Sequence, residues 1–261
     1  MTGGPPPGGS ATAPPPVAAD VGIVAALGLE VGYLIDRLTR VRRYAGAAHE
    51  VVEGEHGGKL IAVIVGGVGR PAARRATELL LEGHRPRWVV SAGFAGALDP
   101  DLRRNDAVFP NEIVDAEGLR LAVDVKVAPE APAPPNPRVT TGRLLTIDAV
   151  ARTAAEKAEL RARYGADVVD METSAVAEAC RDRGLRFLPV RVVSDEAGTD
   201  LPPEVLTLMN KSGGRLVGSA LRAVWRRPSS LKDLFAVHNH AQEAADRLAD
   251  VTLAAVGRLP D

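Results

Sequence analysis

Two polar pairs stand at the ends of two apolar runs in this chain. Asp170 and Glu172 follow Val168-Val169, and Ser194 and Asp195 follow Phe187 to Val193, which carries Arg191 within it. The residues between them, Ala175, Val176, Ala179 and Cys180, recur at helical spacing, with Thr173 or Ser174 able to cap the entry and Gly184 able to end the helix. The stretch therefore reads as strand, helix, strand, with its polar residues at the carboxyl ends of the strands. In an open α/β sheet those ends form the ligand crevice. Acids and an arginine placed there suit a polar ligand better than a solvated face.

A third carboxylate has a similar setting. Val21 to Leu27 reads as a buried strand, Glu30 follows it, and Val31, Leu34, Ile35 and Leu38 continue as an amphipathic helix. Glu30 is either a favourable helix N-terminal charge or a side chain aimed into the crevice; spacing leaves both open. Val51-Val52 and Leu60 to Val65 form a hairpin around His56-Gly57-Gly58. Gly66-Gly-Val-Gly69 leads into a helix at Pro71, and its backbone N–H groups could meet an anion or a ribose. Trp88 to Ala97 is a strand in which Gly93 and Gly96 would let a ligand approach the backbone. Further strands are expected over Asp106–Val114, with Pro110 at a bulge or edge, and over Val139–Ile147. Helices are expected over Ala149–Arg163, Glu204–Trp225 and Leu231–Val256. This alternation predicts a single-domain three-layer α/β/α fold with a mixed, mostly parallel central sheet, spanning residues 19–261. Residues 1–18 form a Gly/Pro-rich leader expected to be disordered, and residues 129–137 a proline-rich loop.

With 261 residues and a net charge of −1, the composition offers no electrostatic case for nucleic acid or an anionic membrane. No apolar run is long enough to span a bilayer, and residues 1–18 lack the basic and apolar regions of a signal peptide, so a cytoplasmic location is expected. Cys180 is the only cysteine, which rules out an internal disulfide and a cysteine-based zinc cluster, and it reads as core. His238 and His240 do not share a helix face, and no metal site is expected.

Taken in order, the strand with Glu30, Gly-Gly-Val-Gly-Arg70, Ser91-Ala-Gly-Phe-Ala-Gly-Ala-Leu98, Val168-Val-Asp-Met-Glu-Thr-Ser-Ala and Val190-Arg-Val-Val-Ser-Asp195 are similar to the nucleoside phosphorylase/nucleosidase superfamily. The chain most resembles its methylthioadenosine/S-adenosylhomocysteine nucleosidase branch. Weaker motifs also resemble a hopanoid-associated phosphorylase branch, taken to cleave adenosylhopane with phosphate. The resemblance covers roughly residues 20 to 225. It implies cleavage of a purine N-glycosidic bond, with Asp195 as the general acid at purine N7 and Ser194 orienting it. Glu172 would hold the ribose hydroxyls and offset the charge on the sugar. Met171 would pack on the ribose, and Arg191 would orient Glu172 or Glu30. Glu30 would activate water. Gly93, Phe94 and Val169 would line the substrate, with backbone near 145–147 and 168–169 reading the purine edge. Phe94 replaces the serine usual in the nucleosidase branch, Gly28 and Leu29 replace acids, and Arg143 stands where an aspartate is usual.

The resemblance implies no cofactor, a small nucleoside substrate and a homodimer. Two further readings stay beside hydrolysis. One is phosphorolysis, with inorganic phosphate as co-substrate and Arg70 and Arg143 as its contacts. The other is a non-catalytic nucleoside-binding protein. An arginine reaching the crevice beside Glu30 would favour the phosphorylase.

Overall fold

A computed structural model describes residues 18–45, 49–126, 137–201 and 230–260, with backbone alone at 45 and 230–238. The leader apart from Ala18, nearly all of the proline-rich loop and the helix expected over 204–225 lie outside the described residues. The described residues form ten strands and five helices. They are β1 Val21–Ala25, α1 Gly28–Asp36, β2 Thr39–Ala45, β3 Glu50–His56, β4 Lys59–Val65, α2 Arg70–His84, β5 Trp88–Ala97, β6 Ala107–Asp115, β7 Arg120–Ala122, β8 Val139–Thr146, α3 Ala154–Tyr164, β9 Val168–Asp170, α4 Thr173–Asp182, β10 Arg186–Asp195 and α5 Ser230–Arg258.

One mixed sheet holds all the strands, in the order β10-β6-β8-β9-β5-β1-β4-β3-β2, with β7 on β6. Pairing is parallel through β4–β1–β5–β10 and through β6–β8–β9. Strand β10 pairs with both β5 and β6, so the sheet closes on itself at that end. Both faces of the central strands are apolar. On β1, Val21, Ile23 and Ala25 pack with Val31 and Leu34 of α1 and Leu248 of α5. Val24 points the other way, against Ala73, Ala76 and Leu80 of α2 and Val176 and Cys180 of α4. This alternation of side chains on a doubly covered strand is what makes three layers from a period-two pattern. The expected α/β/α arrangement is therefore the observed one.

The hairpin β3–β4 turns at Gly57-Gly58, both at positive φ, as the two glycines predict. Pro110 sits at a register shift between β6 and β8. Three local expectations need correction. Helix α3 begins at Ala154, not Ala149, because Thr153 and Glu156 form a reciprocal cap there. Residue Glu172, not Thr173 or Ser174, occupies the N-cap of α4; the Thr173 hydroxyl is drawn inward to Asp170 and Arg191. Strands β2 and β7 went unread, because β2 is charged (Thr39-Arg-Val-Arg-Arg-Tyr-Ala45) and β7 is three residues long.

Cys180 is fully buried between α4 and α2, and desolvation pushes its thiol up to about 12. The native protein is therefore expected to resist a disulfide thiol reagent at pH 8 and to react fully in denaturant. Rapid modification of the folded chain in stopped-flow absorbance would contradict this packing.

Candidate active site

The carboxyl ends of β1, β5, β9 and β10 open onto one cavity of about 390 Å³. Its wall includes Glu30, Phe94, Val169, Met171, Glu172, Ser194 and Asp195. Seven of the sequence-nominated residues thus meet in one place, although they come from four separate stretches of chain.

Glu30 is 5 % exposed. One of its carboxylate oxygens accepts the N–H groups of Ala26 and Leu27 at 3.0 and 2.8 Å, and the other accepts that of Phe94 at 2.9 Å. It is both the first-turn charge of α1 and a cavity wall, so the two readings of this residue are compatible. Burial raises its pKa, while the Phe94, Leu27 and Ala26 N–H bonds and the charge of Arg191 pull the other way. Glu172 stands across the cavity wall and accepts the Gly69 N–H at 2.7 Å. Burial, followed by the charge of Asp170, pushes its carboxyl up to about 8. The glycine loop therefore spends its N–H at Gly69 on a side chain of the site rather than on a ligand.

Two glycines of β5 make room for carboxylates. A Cβ on Gly93 would lie 2.8 Å from Glu30 Oε1, and a Cβ on Gly96 would lie 3.1 Å from Asp195 Oδ2. The sequence suggested ligand approach at these positions; it is the acidic side chains that need the space.

Asp195 ends β10 and is held from both sides. Ser194 Oγ donates to Oδ1 at 2.6 Å. Lys157 Nζ of α3 lies 2.5 Å from Oδ2. That contact is an ion pair without the angles of a hydrogen bond, since Oδ2 has no directed partner. Sequence reasoning missed Lys157. Its signal was there: Lys157 falls between Ala154 and Leu160 on the three-residue stripe of α3, where an apolar residue is expected.

Arg191 corrects one expectation. It is 2 % exposed and contacts neither Glu172 nor Glu30 by hydrogen bond. Its guanidinium binds Asp170 Oδ2 at 2.8 and 3.1 Å, Ser91 Oγ at 2.9 Å, Thr173 Oγ1 at 2.5 Å and the Ser91 and Val190 carbonyls. Asp170 in turn accepts from Thr146 Oγ1 at 2.7 Å and from the Thr173 N–H at 3.0 Å. Asp170, which the sequence placed at a strand end, is thus the ion-pair partner beneath the site.

The arginines nominated for phosphate are committed elsewhere. Arg70 binds Glu117 and Asp148, and these bonds hold its guanidinium firmly protonated. Arg143 binds Glu112 at 2.6 Å and the carbonyls of Tyr164 and Gly165. Neither lines the cavity. The arginine that does line it is Arg104, which donates to the Ser194 carbonyl at 3.2 Å and meets His240 of α5 at 2.7 Å. Of the backbone expected to read a purine edge, Ile147 and Val169 line the cavity, and the Ile147 N–H is taken by the Asp170 carbonyl.

Residues 20–226 match the model of the phosphorylase superfamily. The chain belongs to that superfamily. It is 26 % identical to the 5'-methylthioadenosine/S-adenosylhomocysteine nucleosidase of Tolumonas auensis over 226 residues, which covers 77 % of this chain and 98 % of the relative. The enzyme of the same name from Marinomonas sp. is 29 % identical, over 70 % of this chain and 88 % of the relative. The fold superposes on the Colwellia psychrerythraea nucleosidase in complex with adenine with a TM-score of 0.71, at 22 % identity, covering 93 % of this chain and 96 % of that one. Among described residues no helix is long and apolar enough to cross a membrane.

The raised carboxyl of Glu172 has a consequence for stability. A group that ionises near 4.5 in the unfolded chain and near 8 in the fold adds stability that is whole below pH 4.5 and is lost as pH rises through about 8. Glu172→Gln, which cannot ionise, is expected to melt within about 1 °C of the parent at pH 4.5 and well above it at pH 8.5. Scanning calorimetry at the two pH values reads this directly; equal differences at both would refute it.

Proposed function

We propose that this chain hydrolyses the N-glycosidic bond of a 5'-substituted adenosine, with the cavity at the strand ends as its active site. The observation that carries this reading is the separation of two carboxyl environments across one cavity. Glu30 is buried and bound by three N–H groups, while Asp195 stands at the far strand end with Ser194 and Lys157. Paired acids in different surroundings can serve as base and acid in one reaction.

In this reading Asp195 gives its proton to purine N7, and the C1'–N9 bond breaks with its electron pair passing into the purine. Glu172 faces the cationic sugar with its ribose hydroxyls, and Met171 packs against the ring. Glu30 takes a proton from water as the water oxygen bonds C1'. The gains and losses of protons balance, and the products are a free purine and a ribose. Val169, Ile147 and Phe94 supply apolar surface for the base and sugar. Phe94 puts an aromatic ring where the nucleosidase branch has a hydroxyl, so from this position only the backbone N–H reaches the Glu30 carboxylate, beside those of Ala26 and Leu27. Arg191 supports the ionised forms of Glu172 and Glu30 through its charge. The sequence relatives named as nucleosidases support the same chemistry. No cofactor enters the scheme. A homodimer, a cytoplasmic location and a single catalytic domain over residues 19–261 belong to the same proposal.

Phosphorolysis is the second reading, and Arg104 is the observation in its favour, being a cation on the cavity wall. Its guanidinium is held at Ser194 and His240, on the side of the acid. The carboxylate of Glu30, at the nucleophile's side, repels an anion.

Methylthioadenosine, S-adenosylhomocysteine, adenosine and 5'-deoxyadenosine are the substrates to try, each with and without phosphate. Purine release independent of phosphate is expected. In Asp195→Asn it should fall by about 10²- to 10⁴-fold, the range ordinary for a general acid. Release that requires phosphate and yields a ribose 1-phosphate would replace hydrolysis by phosphorolysis. Binding without release would leave a nucleoside-binding protein. Gly93→Ala tests the base. Its methyl group would displace Glu30, and kcat is expected to fall by about 10²-fold with modest change in KM. An unaltered kcat would remove Glu30 from the chemistry.

A further inference from the structure

Lys157 is fully buried, which for an ammonium is costly unless each proton finds a partner. It sits one turn inside α3, and its Nζ meets the Glu196 carbonyl at 2.8 Å, the Thr199 carbonyl at 3.0 Å and Asp195 Oδ2 at 2.5 Å. Two contacts tie down the loop that follows β10. The third is to the carboxyl group that the proposed reaction uses.

The same corner is fastened by other bonds. The Ala154 N–H donates to Asp200 Oδ1 at 2.8 Å, and the Leu201 N–H donates to the Arg152 carbonyl at 2.8 Å. The loop therefore has anchors of its own, and a buried cation is not required merely to hold it. An apolar side chain would fill the α3 stripe at lower desolvation cost. What a cation supplies there, and a leucine would not, is charge beside Asp195.

We propose that Lys157 is a positioning residue for Asp195, fixing the carboxyl plane together with Ser194 and stabilising the carboxylate that forms as its proton passes to the purine. This rests on the acid role of Asp195 proposed above. Ser194 Oγ holds Oδ1 and Lys157 faces Oδ2, so both oxygens are addressed before any ligand arrives. When the Asp195 O–H bond breaks and the N7–H bond forms, the new negative charge appears next to a fixed ammonium in a buried site. No donor has to move to meet it, which is the condition under which a charge contributes most to a transition state.

Among the described residues, the other charged groups placed at this corner are Arg104, His240, Glu196 and Asp200. Arg104 lies on the Ser194 carbonyl and meets His240 of α5, and the Glu196 carboxylate accepts the Arg104 N–H at 3.3 Å. Asp200 lies at the N-terminus of α3. All of them remain when Lys157 is neutralised, so a change in pH dependence reports on Lys157 itself.

The test is the pH profile of kcat/KM for purine release by the full chain, parent against Lys157→Met and Lys157→Arg. Lys157→Met is expected to lower kcat by about 10²-fold and to move the alkaline limb upwards by about one pH unit. Lys157→Arg, which keeps the charge, should hold the limb near that of the parent. Asp200→Ala loosens the same loop without touching the cation, and it should lower the rate while the limb stays in place. If Lys157→Met is insoluble, Lys157→Gln is read in the same way. An unmoved limb in the neutral variant would overturn the proposal, and so would an equal shift in Asp200→Ala, which would make the loop the cause. If the parent releases no purine, or Asp195→Asn releases it at the parent's rate, the failure is of the activity or of the acid assignment. A parent that depends on Asp195 beside a neutral variant with an unmoved limb rejects the Lys157 role alone.

Discussion

Arg191 and Asp170 lie beneath the cavity, each almost wholly removed from water. Taking two charges out of water costs several kcal/mol per ion unless their hydrogen-bonding capacity is filled. Here it is filled: the guanidinium reaches Asp170, Ser91, Thr173 and two carbonyls, and Asp170 also takes the Thr146 hydroxyl and the Thr173 N–H. These groups come from β5, β8, β9, α4 and β10. The pair therefore locks together the elements that present Asp195 and Glu172, and it would lose its partners if any one of them slipped. Its worth lies in holding one arrangement more than in raw stability, because an apolar pair of similar shape would avoid the desolvation cost.

From this base the site acquires two unlike halves. Glu30 and Glu172 share the field of one arginine and lean into burial, which pushes both carboxyls upward. Asp195 has a cation of its own, from a helix that the other two do not touch. Small residues on β5 make the geometry possible. Gly93 admits Glu30 and Gly96 admits Asp195, so one strand spaces both carboxylates along its length. A side chain at either position would move an acid rather than merely crowd a ligand.

The distribution of arginines bears on the nucleophile. Arg70 and Arg143 each hold carboxylates at the rim of the fold and tie loops together, so their positive charge is already neutralised locally. The guanidinium whose charge reaches Glu30 belongs to Arg191, and its donors are taken. An anionic co-substrate at Glu30 would have to displace one of these bonds, whereas water would not.

Most of the strand and helix positions, the Gly57-Gly58 hairpin, the burial of Cys180 and the placing of Glu30, Glu172 and Asp195 at strand ends were legible in the sequence. All of these are local: period-two and helical spacing, glycine pairs and the residue that follows an apolar run carry them within about ten positions. The beginning of α3 was legible too, in Thr153 and Glu156, but the apolar run before it obscured the cap. What the tertiary structure alone decided is who meets whom. Glu172 finds the Gly69 N–H 103 residues away, Arg191 chooses Asp170 over the two glutamates, and Lys157 turns inward to Asp195. Such choices follow from β10 closing the sheet against both β5 and β6, which brings distant strand ends to one cavity. No spacing rule along the chain encodes them, because the energy of a buried charge depends on every group that surrounds it and not on its neighbours in sequence.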